Sequence, residues 1–295
     1  MLYDANNTTF IRHITRKRSS SKTHLHLKSA TKLNDRHTRF FTISPPAHSL
    51  IAKMSPPAIV FTDWDGTVTL QDSNDYLTDN LGFGLARRQQ INQDILDDKQ
   101  SFKDGFQDML ESIPTPFPEC IDYLLKNVQL DPGFKEFYVW CFEHKIPVIV
   151  VSSGMKPIIY ALLKNLVGDE AIKNIEIISN DVAIDEATQK WDIVYKDPNS
   201  SFGHDKSNSI REYLANNGYN DSNVPLLFYC GDGVSDLSAA KETDLLFAKH
   251  GKDLITYCIR EGIPYTEFNN FADIFDKIKK VIGGVSITEF IENKY

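Results

Sequence analysis

The chain has 295 residues, enough for one large domain or two with a substantial hydrophobic core. Its charge is uneven: residues 1–53 contain five Lys, five Arg and two Asp (net +8), whereas the remainder contains 22 basic and 38 acidic residues (net −16). The acidic body argues against nucleic acid as a partner, and no apolar run is long enough to span a membrane, so we expect neither a nucleic-acid nor a membrane partner.

Residues 1–53 are rich in Ser, Thr, Lys, Arg and His and have little apolar periodicity. We interpret them as a disordered or targeting extension, because they offer too few apolar groups to offset the entropy of ordering. The composition also suits a mitochondrial transit peptide, Arg16-Lys17-Arg18 suits a weak nuclear signal, and Met54 could be the start of translation. The scattered cysteines fit a reducing compartment and argue against a zinc site; they are Cys120, Cys141, Cys230 and Cys258. We therefore expect a cytoplasmic protein, with a nuclear or a mitochondrial location as alternatives.

The first strand-like run, Ile59–Thr62, ends in Asp63-Trp64-Asp65-Gly66-Thr67. Residues two apart in a strand point to the same side, so the two aspartates would arrive together. Two adjacent carboxylates repel each other unless a cation or a shared proton is present, which favours a metal site or an acid/base site. An ordinary strand end followed by an Asp-Gly turn remains the alternative. A calcium-binding EF-hand loop is excluded, because its sixth and twelfth positions would be Val68 and Asn74.

Residues 77–129 carry no convincing strand and several helix-like stretches, and we expect Pro114, Pro116 and Pro118 to break them. The predicted helices are Leu85–Leu96, Phe102–Leu110 and Cys120–Asn127. We interpret residues 77–129 as a helical cap over the Asp63 site, inserted into a catalytic core formed by residues 54–76 and 130–295.

Beyond residue 130, buried strand-like runs alternate with helix-like segments. The predicted strands are Ile146–Ser152 and Pro225–Cys230, and the predicted helices are Phe134–His144, Ser207–Asn217 and Leu237–Thr243. This alternation predicts an α/β fold with a parallel sheet, in which ligands bind outside the carboxyl ends of the strands.

Three further motifs fall at such positions. Ser152-Ser153-Gly154 ends one strand with a hydroxyl and turn amides, which can hold a phosphate oxygen, although most such sites are only turns. Lys206 precedes a helix, where a lone lysine is usually a solvated surface residue, and His204 beside it suits a structural or exposed role better than a catalytic one. Gly231-Asp232-Gly233 ends another strand, and Asp236 follows closely. Together these residue types supply what phosphoryl transfer requires: a nucleophile, sites for a hard cation, positive charge and an acid.

With these motifs the chain resembles the haloacid dehalogenase-like (HAD) phosphatases over about residues 57–280, specifically the phosphoserine-phosphatase-like branch with a helical cap. Asp131-Pro132-Gly133-Phe134 also looks like that branch. The likeness is greatest to uncharacterised fungal HAD phosphatases. It is more distant to the diketo-methylthio-phosphopentane phosphatases and the phosphocholine/phosphoethanolamine phosphatases. The resemblance implies a Rossmann-like parallel-sheet core with a small helical cap inserted after the first strand.

The resemblance also implies a role for each motif residue. Asp63 would be the nucleophile that forms an aspartyl phosphate, and Asp65 would protonate the leaving oxygen and then activate water. Ser152, Ser153 and Gly154 would bind the phosphoryl oxygens, and Lys206 would neutralise charge. Mg²⁺ would be held by Asp63, the backbone carbonyl of Asp65, and Asp232, while Asp236 would order Lys206 or the water around the metal. The expected function is Mg²⁺-dependent hydrolysis of a small phosphorylated metabolite.

Two departures from the phosphoserine phosphatases argue against phosphoserine as the substrate. Ser235 stands where Asn is usual, and the acidic residue that grips the substrate amine has no convincing counterpart, although Asp72 or Asp75 could take that role. A phosphotransferase on the same scaffold and a catalytically idle binding or regulatory protein are the alternative functions. The sequence does not determine the oligomeric state.

Overall fold

The computed structural model describes residues 55–292, so the expectations for residues 1–53 lie outside the described part of the chain. Its centre is a seven-stranded sheet in the order β4-β3-β2-β1-β5-β6-β7, with all pairs parallel except β3–β4. The strands are β1 Ala58–Thr62, β2 Val148–Met155, β3 Glu176–Ile184, β4 Trp191–Val194, β5 Leu226–Gly231, β6 Leu245–Lys249 and β7 Thr266–Phe268. The predicted α/β class with a parallel sheet is confirmed.

Helices cover the connections between these strands. They are α1 Ser73–Leu81, α2 Leu85–Leu96, α3 Phe102–Glu111, α4 Phe117–Asn127, α5 Phe134–Glu143, α6 Lys156–Val167, α7 Lys206–Asn216, α8 Leu237–Ala240, α9 Asp253–Glu261 and α10 Phe271–Ile282. No helix within residues 55–292 is both long and apolar enough to cross a membrane.

The segment after β1 is helical, as the sequence predicts, but Pro118 does not break a helix. It lies in the first turn of α4, which begins at Phe117 with Pro116 at the N-cap, three residues before the predicted start. Proline fits there because the first-turn amides have no helical acceptor. Helix α1 begins at Ser73 and crosses the predicted boundary at residues 76/77. The division into core and cap therefore remains a prediction.

The sheet is buried on both faces. Along β1, Ala58 and Val60 join one apolar cluster, while Ile59 and Phe61 join the cluster on the opposite face. This alternation follows from the two-residue period of a strand, and burial on both sides explains why the run is continuously apolar. Strand β1 is thereby fixed at the centre of the sheet, between β2 and β5.

Candidate active site

The carboxyl end of β1 lies between the carboxyl ends of its two neighbours. Thr62 is in register with Val150 of β2 and Cys230 of β5, and the Asp63 amide donates to the Cys230 carbonyl at 2.8 Å. The residues that follow these strand ends therefore meet at one edge of the sheet. A cavity lies at this edge, and the residues of the predicted site that line it are Asp63, Asp65, Ser152, Ser153, Gly154 and Asp232.

Lys206 lies at the start of α7 with its side chain fully buried, not solvated. Its Nζ is 2.9 Å from Asp63 Oδ2 and 2.7 Å from Asp236 Oδ1. Burial alone would lower the pKa of Lys206, but the two carboxylates, first Asp236 and then Asp63, outweigh it and raise that pKa. Lys206 is therefore charged at neutral pH and stabilises two buried carboxylates.

Asp236 is occupied by protein donors on both oxygens. Oδ1 accepts from Lys206 and from the Tyr229 hydroxyl, the latter at 2.6 Å. Oδ2 accepts from the amides of Asp232 and Gly233 at 2.9 and 3.0 Å. Asp236 therefore orders Lys206 and the Asp232 loop, and its role as a residue that supports the site without binding metal directly stays a prediction.

Asp65 is held by the first residues of α1. The Ser73 amide donates to its Oδ1 at 2.7 Å, and the Asn74 side-chain amide donates to its Oδ2 at 2.8 Å. Burial, and secondarily the charge of Asp72, raises the pKa of Asp65 well above its usual range. A carboxyl group with a raised pKa is suited to donate a proton.

Asp63 and Asp232 are candidates for metal ligands. One carboxylate oxygen from each of Asp63, Asp232 and Asp236 lies within 4.8 Å of the others, although the oxygens of Asp236 are already used. Burial, and secondarily the charge of Asp236, raises the pKa of Asp232 to about 7. Burial also raises the pKa of Asp63, although the charge of Lys206 lowers it. Such crowding of carboxylates is relieved by a cation, and an all-oxygen donor set fits Mg²⁺.

Gly66 permits Asp232 to approach the β1 end. It has φ +73°, and a Cβ built there would lie 2.1 Å from Asp232 Oδ2. A larger residue would be strained at this φ and would displace the Asp232 carboxylate, so Gly66 lets the metal-ligand candidate lie close to the end of β1.

The predicted turn at Ser152-Ser153-Gly154 is instead the last part of β2, where the register with β3 shifts, and it presents hydroxyl groups to the cavity. Ser152 Oγ accepts from the Gly154 amide at 3.0 Å, so its own hydrogen remains able to donate to a phosphoryl oxygen. Ser153 Oγ is buried and has no hydrogen-bond partner among the described residues. His204 is buried and bridges the Ser152 carbonyl and Ser209 Oγ, which agrees with the expected structural role.

Several contributors were missed by sequence reasoning, namely Ser73, Asn74 and Tyr229. Asp72 caps α1 by accepting from the amides of Asn74 and Asp75, both at 2.9 Å. An Asp before a helix-like stretch, with an acidic residue in its first turn, is a helix-start signal, and it would have predicted that a helix begins shortly after Asp65 in the sequence.

Comparison with known proteins shows the family of this chain and agrees with its fold. A family model described as haloacid dehalogenase-like hydrolase matches residues 60–241. The polyol phosphate phosphatase PYP1 of Saccharomyces cerevisiae is 57% identical over 80% of this chain and 99% of its own length. Pdp3-interacting factor 1 of Schizosaccharomyces pombe is 53% identical over 75% of this chain and 95% of its own length.

A solved phosphoserine phosphohydrolase-like protein from Francisella tularensis superposes with a TM-score of 0.55 at 16% identity, covering 75% of this chain and 99% of that one. This likeness concerns the fold alone. The chain belongs to the haloacid dehalogenase-like hydrolase family. Within that family it is a phosphatase, and the resemblance drawn from the sequence motifs is confirmed.

Proposed function

We propose that the protein is a Mg²⁺-dependent phosphomonoester hydrolase that acts on a small polyol phosphate through an aspartyl-phosphate intermediate on Asp63. The 57% identical relative named for polyol phosphates supports the substrate class. The cavity of about 230 Å³ supports a small ligand, since it is smaller than the pockets of roughly 300–1,000 Å³ that hold drug-sized molecules. The observation that carries the proposal is that Asp63 and Asp65 line the same cavity, each fixed by protein donors.

The chain's own residues divide the work between the two steps. The backbone amide of Trp64 donates to Asp63 Oδ1 at 2.7 Å, and Lys206 Nζ binds Asp63 Oδ2. The attacking carboxylate is therefore fixed in orientation. In the first step Asp63 attacks phosphorus while Asp65 gives its proton to the leaving alcohol oxygen. In the second step Asp65, now ionised, takes a proton from the water that attacks the aspartyl phosphate. Both steps are compatible with the raised pKa of Asp65.

Asp63, Asp65 through its backbone carbonyl, and Asp232 would hold Mg²⁺, which when bound supplies positive charge against the phosphate and the carboxylates. Lys206 adds a second positive charge from within the protein, and Ser152 can donate to a phosphoryl oxygen. The like-charge repulsion between a carboxylate nucleophile and a phosphate dianion is thus offset from two sides.

Two other functions remain as alternatives, and both are outcomes of the same assay. Transfer of the phosphoryl group to an alcohol acceptor, seen as p-nitrophenol release in excess of phosphate release, would make the protein a phosphotransferase. No turnover of any ester would indicate a binding or regulatory protein on this scaffold. A cytoplasmic location is also part of the proposal, supported by the four free cysteines, all of which are buried.

The test measures phosphate release from p-nitrophenyl phosphate and from polyol phosphates during a Mg²⁺ titration. The wild type should require Mg²⁺, and Asp63→Asn should abolish turnover while leaving thermal unfolding near that of the wild type. Asp122→Asn, at an exposed position on α4, is the matched control and should behave as the wild type. Acid-quenched wild-type protein should carry a phosphoryl group on Asp63. Retained turnover in Asp63→Asn, or a phosphoryl group on Asp65 or a serine, would overturn the proposed mechanism.

A further inference from the structure

The cavity that contains Asp65 is also lined by Asp75, in the first turn of α1. Arg88 of α2 donates from Nη1 to Asp75 Oδ2 at 2.6 Å. The same guanidinium binds Asp79 of α1 through Nε and Nη2, at 2.7 and 2.8 Å. The Arg88 side chain is only 13% exposed. A two-pronged contact of this kind fixes a planar guanidinium, and that guanidinium in turn fixes one oxygen of Asp75.

The second oxygen of Asp75, Oδ1, has no hydrogen-bond partner within residues 55–292, and the side chain is 34% exposed. Asp75 therefore presents one accessible acceptor to the cavity from a fixed position. The neighbouring Asp72 is less suited, because one of its oxygens caps α1 through the amides of Asn74 and Asp75. Asn92 lines the same cavity four residues after Arg88, on the same face of α2, and adds a second polar group.

In the proposed mechanism the leaving group of the substrate lies beside Asp65, the proton donor. Asp65 is hydrogen-bonded to Ser73 and Asn74, so this position is at the N-terminus of α1. A carbon chain that extends from there along the cavity would reach Asp75, which lines the same cavity. A hydroxyl group and an ammonium group could each donate to a carboxylate oxygen at this point.

The charges around Asp75 are mixed, because Arg88 and Lys252 are basic whereas Asp72 and Asp79 are acidic. The choice of a hydroxyl group over an ammonium group therefore follows from the proposed polyol class of the substrate and not from these charges. The Asp75 side chain is partly exposed, so water can bind Oδ1 in the free protein. A ligand that lacks the hydroxyl would displace this water without replacing its hydrogen bond and should bind less well.

We infer that Asp75 is a specificity-determining residue that accepts a hydrogen bond from a hydroxyl group of the polyol chain, and that Arg88 is the positioning residue that holds it. This inference rests on the proposed function, because it assigns the substrate's hydroxyl groups to a residue of the same cavity.

The test compares four substrates. Three share a four-carbon chain: a tetritol phosphate, n-butyl phosphate, which has no hydroxyl group, and 4-aminobutyl phosphate, which has an ammonium group. The fourth, p-nitrophenyl phosphate, has a good leaving group and no hydroxyl group, and it reports the integrity of the catalytic residues. The variants are Asp75→Ala, Arg88→Ala, Arg88→Lys and the Asp75→Ala/Arg88→Ala double variant. Arg87→Ala is the matched control, because it removes the same side chain from an exposed position on the same helix.

The wild type should prefer the tetritol phosphate to both four-carbon analogues. Asp75→Ala and Arg88→Ala should each lower kcat/KM for the tetritol phosphate about tenfold, mainly through KM, as expected for loss of one hydrogen bond. Turnover of p-nitrophenyl phosphate should change less than about twofold, since that ester has no hydroxyl group to donate to Asp75. The kcat/KM of the double variant for the tetritol phosphate should match that of Asp75→Ala alone, because Arg88 acts through Asp75. The kcat/KM of Arg88→Lys should lie between those of the wild type and Arg88→Ala.

Each other outcome identifies what is wrong. If Asp75→Ala hydrolyses the tetritol phosphate as well as the wild type does, the inference is wrong and the proposed function stands. If the wild type prefers 4-aminobutyl phosphate and the Asp75→Ala variant does not, Asp75 binds an ammonium group and the inference is wrong. If the wild type cleaves p-nitrophenyl phosphate but no tetritol phosphate, the proposed polyol class fails and the inference fails with it. Asp75→Ala leaves the Arg88–Asp79 pair in place, so the test does not depend on whether Arg88→Ala folds.

Discussion

Lys206→Met is the most informative single change, because Lys206 is the cation between two buried carboxylates. Methionine approximates the length and volume of lysine and removes the charge, so packing is largely retained. Asp63 and Asp236 then lose the Nζ partner that lies 2.9 and 2.7 Å from their oxygens. The variant therefore separates the electrostatic contribution of Lys206 from its packing.

Removing one partner of a buried ion pair costs about 3–5 kcal/mol, because an uncompensated charge is left behind. For a folded body of this size, each kcal/mol shifts the melting temperature by about 2–4 °C, which gives a decrease of roughly 6–20 °C. Catalytic activity should also fall by at least about a hundredfold, the usual cost of removing a group that stabilises developing charge.

The decrease in melting temperature caused by Lys206→Met should depend on pH. The pKa of Asp63 is already raised by burial, and Lys206 is one of the groups that lower it, so its loss raises that pKa further. A carboxyl group whose folded pKa exceeds its unfolded value destabilises the protein at high pH, and that cost disappears as the pH falls through the folded value. The charge of Lys206 is complete in both the folded and the unfolded state below pH about 10, so the pH dependence between about 5 and 8 comes from the carboxyl group of Asp63, whose pKa the substitution raises. The melting-temperature difference should therefore be larger at pH 8 than at pH 5.

The assay is calorimetric or circular-dichroism melting at both pH values in EDTA, so that bound metal does not contribute. Lys241→Met, at an exposed lysine after α8, is the matched control and should melt within about 2 °C of the wild type, as surface substitutions usually do. A Lys206→Met variant that melts like the wild type, or one whose deficit grows as the pH falls, would refute the reasoning.

Other predictions address the roles of single residues and of the N-terminal segment. Asp65→Asn should lose more activity on alkyl than on aryl phosphates, because only the poorer leaving group needs the proton; equal losses on both ester types under chemistry-limited conditions would contradict this. Gly66→Ala should weaken Mg²⁺ activation, seen as a raised Mg²⁺ concentration for half-maximal activity, because the new Cβ would lie 2.1 Å from Asp232 Oδ2 at φ +73°. A chain that starts at Met54 should fold and keep its phosphatase activity, and loss of the cooperative melting transition on that truncation would show that residues 1–53 were misinterpreted.

Local sequence was sufficient for the strands that bear the motifs. The apolar run before Asp63 is a strand in the structure, Ala58–Thr62, and the run before Asp232 is Leu226–Gly231. The first run is rich in β-branched residues and the second in leucine and aromatic residues, and both are buried, which is a local signal for a strand. The carboxyl ends of parallel strands lie at one edge of the sheet. The helix Leu85–Leu96 was predicted with the same bounds as the structure shows.

The remaining strands carried weaker signals. Strands β3 and β4 form an antiparallel pair at one side of the sheet, with many half-buried or exposed residues, and β7 has only three residues. Short edge strands lack the continuous apolar pattern of central ones, so their pairing depends on neighbours that are distant in sequence.

The sequence by itself determined which residue types stand at the ends of the strands, and therefore the family and the candidate site. Only the tertiary structure decided how they are used. Lys206 looks like a surface lysine in its local sequence, and its burial depends on Asp63, 143 positions earlier, and on Asp236, 30 positions later. The contact of Arg88 with Asp75 likewise depends on how α2 packs against α1. Charge pairing and desolvation are set by distance in space, which the spacing of residues along a chain does not specify.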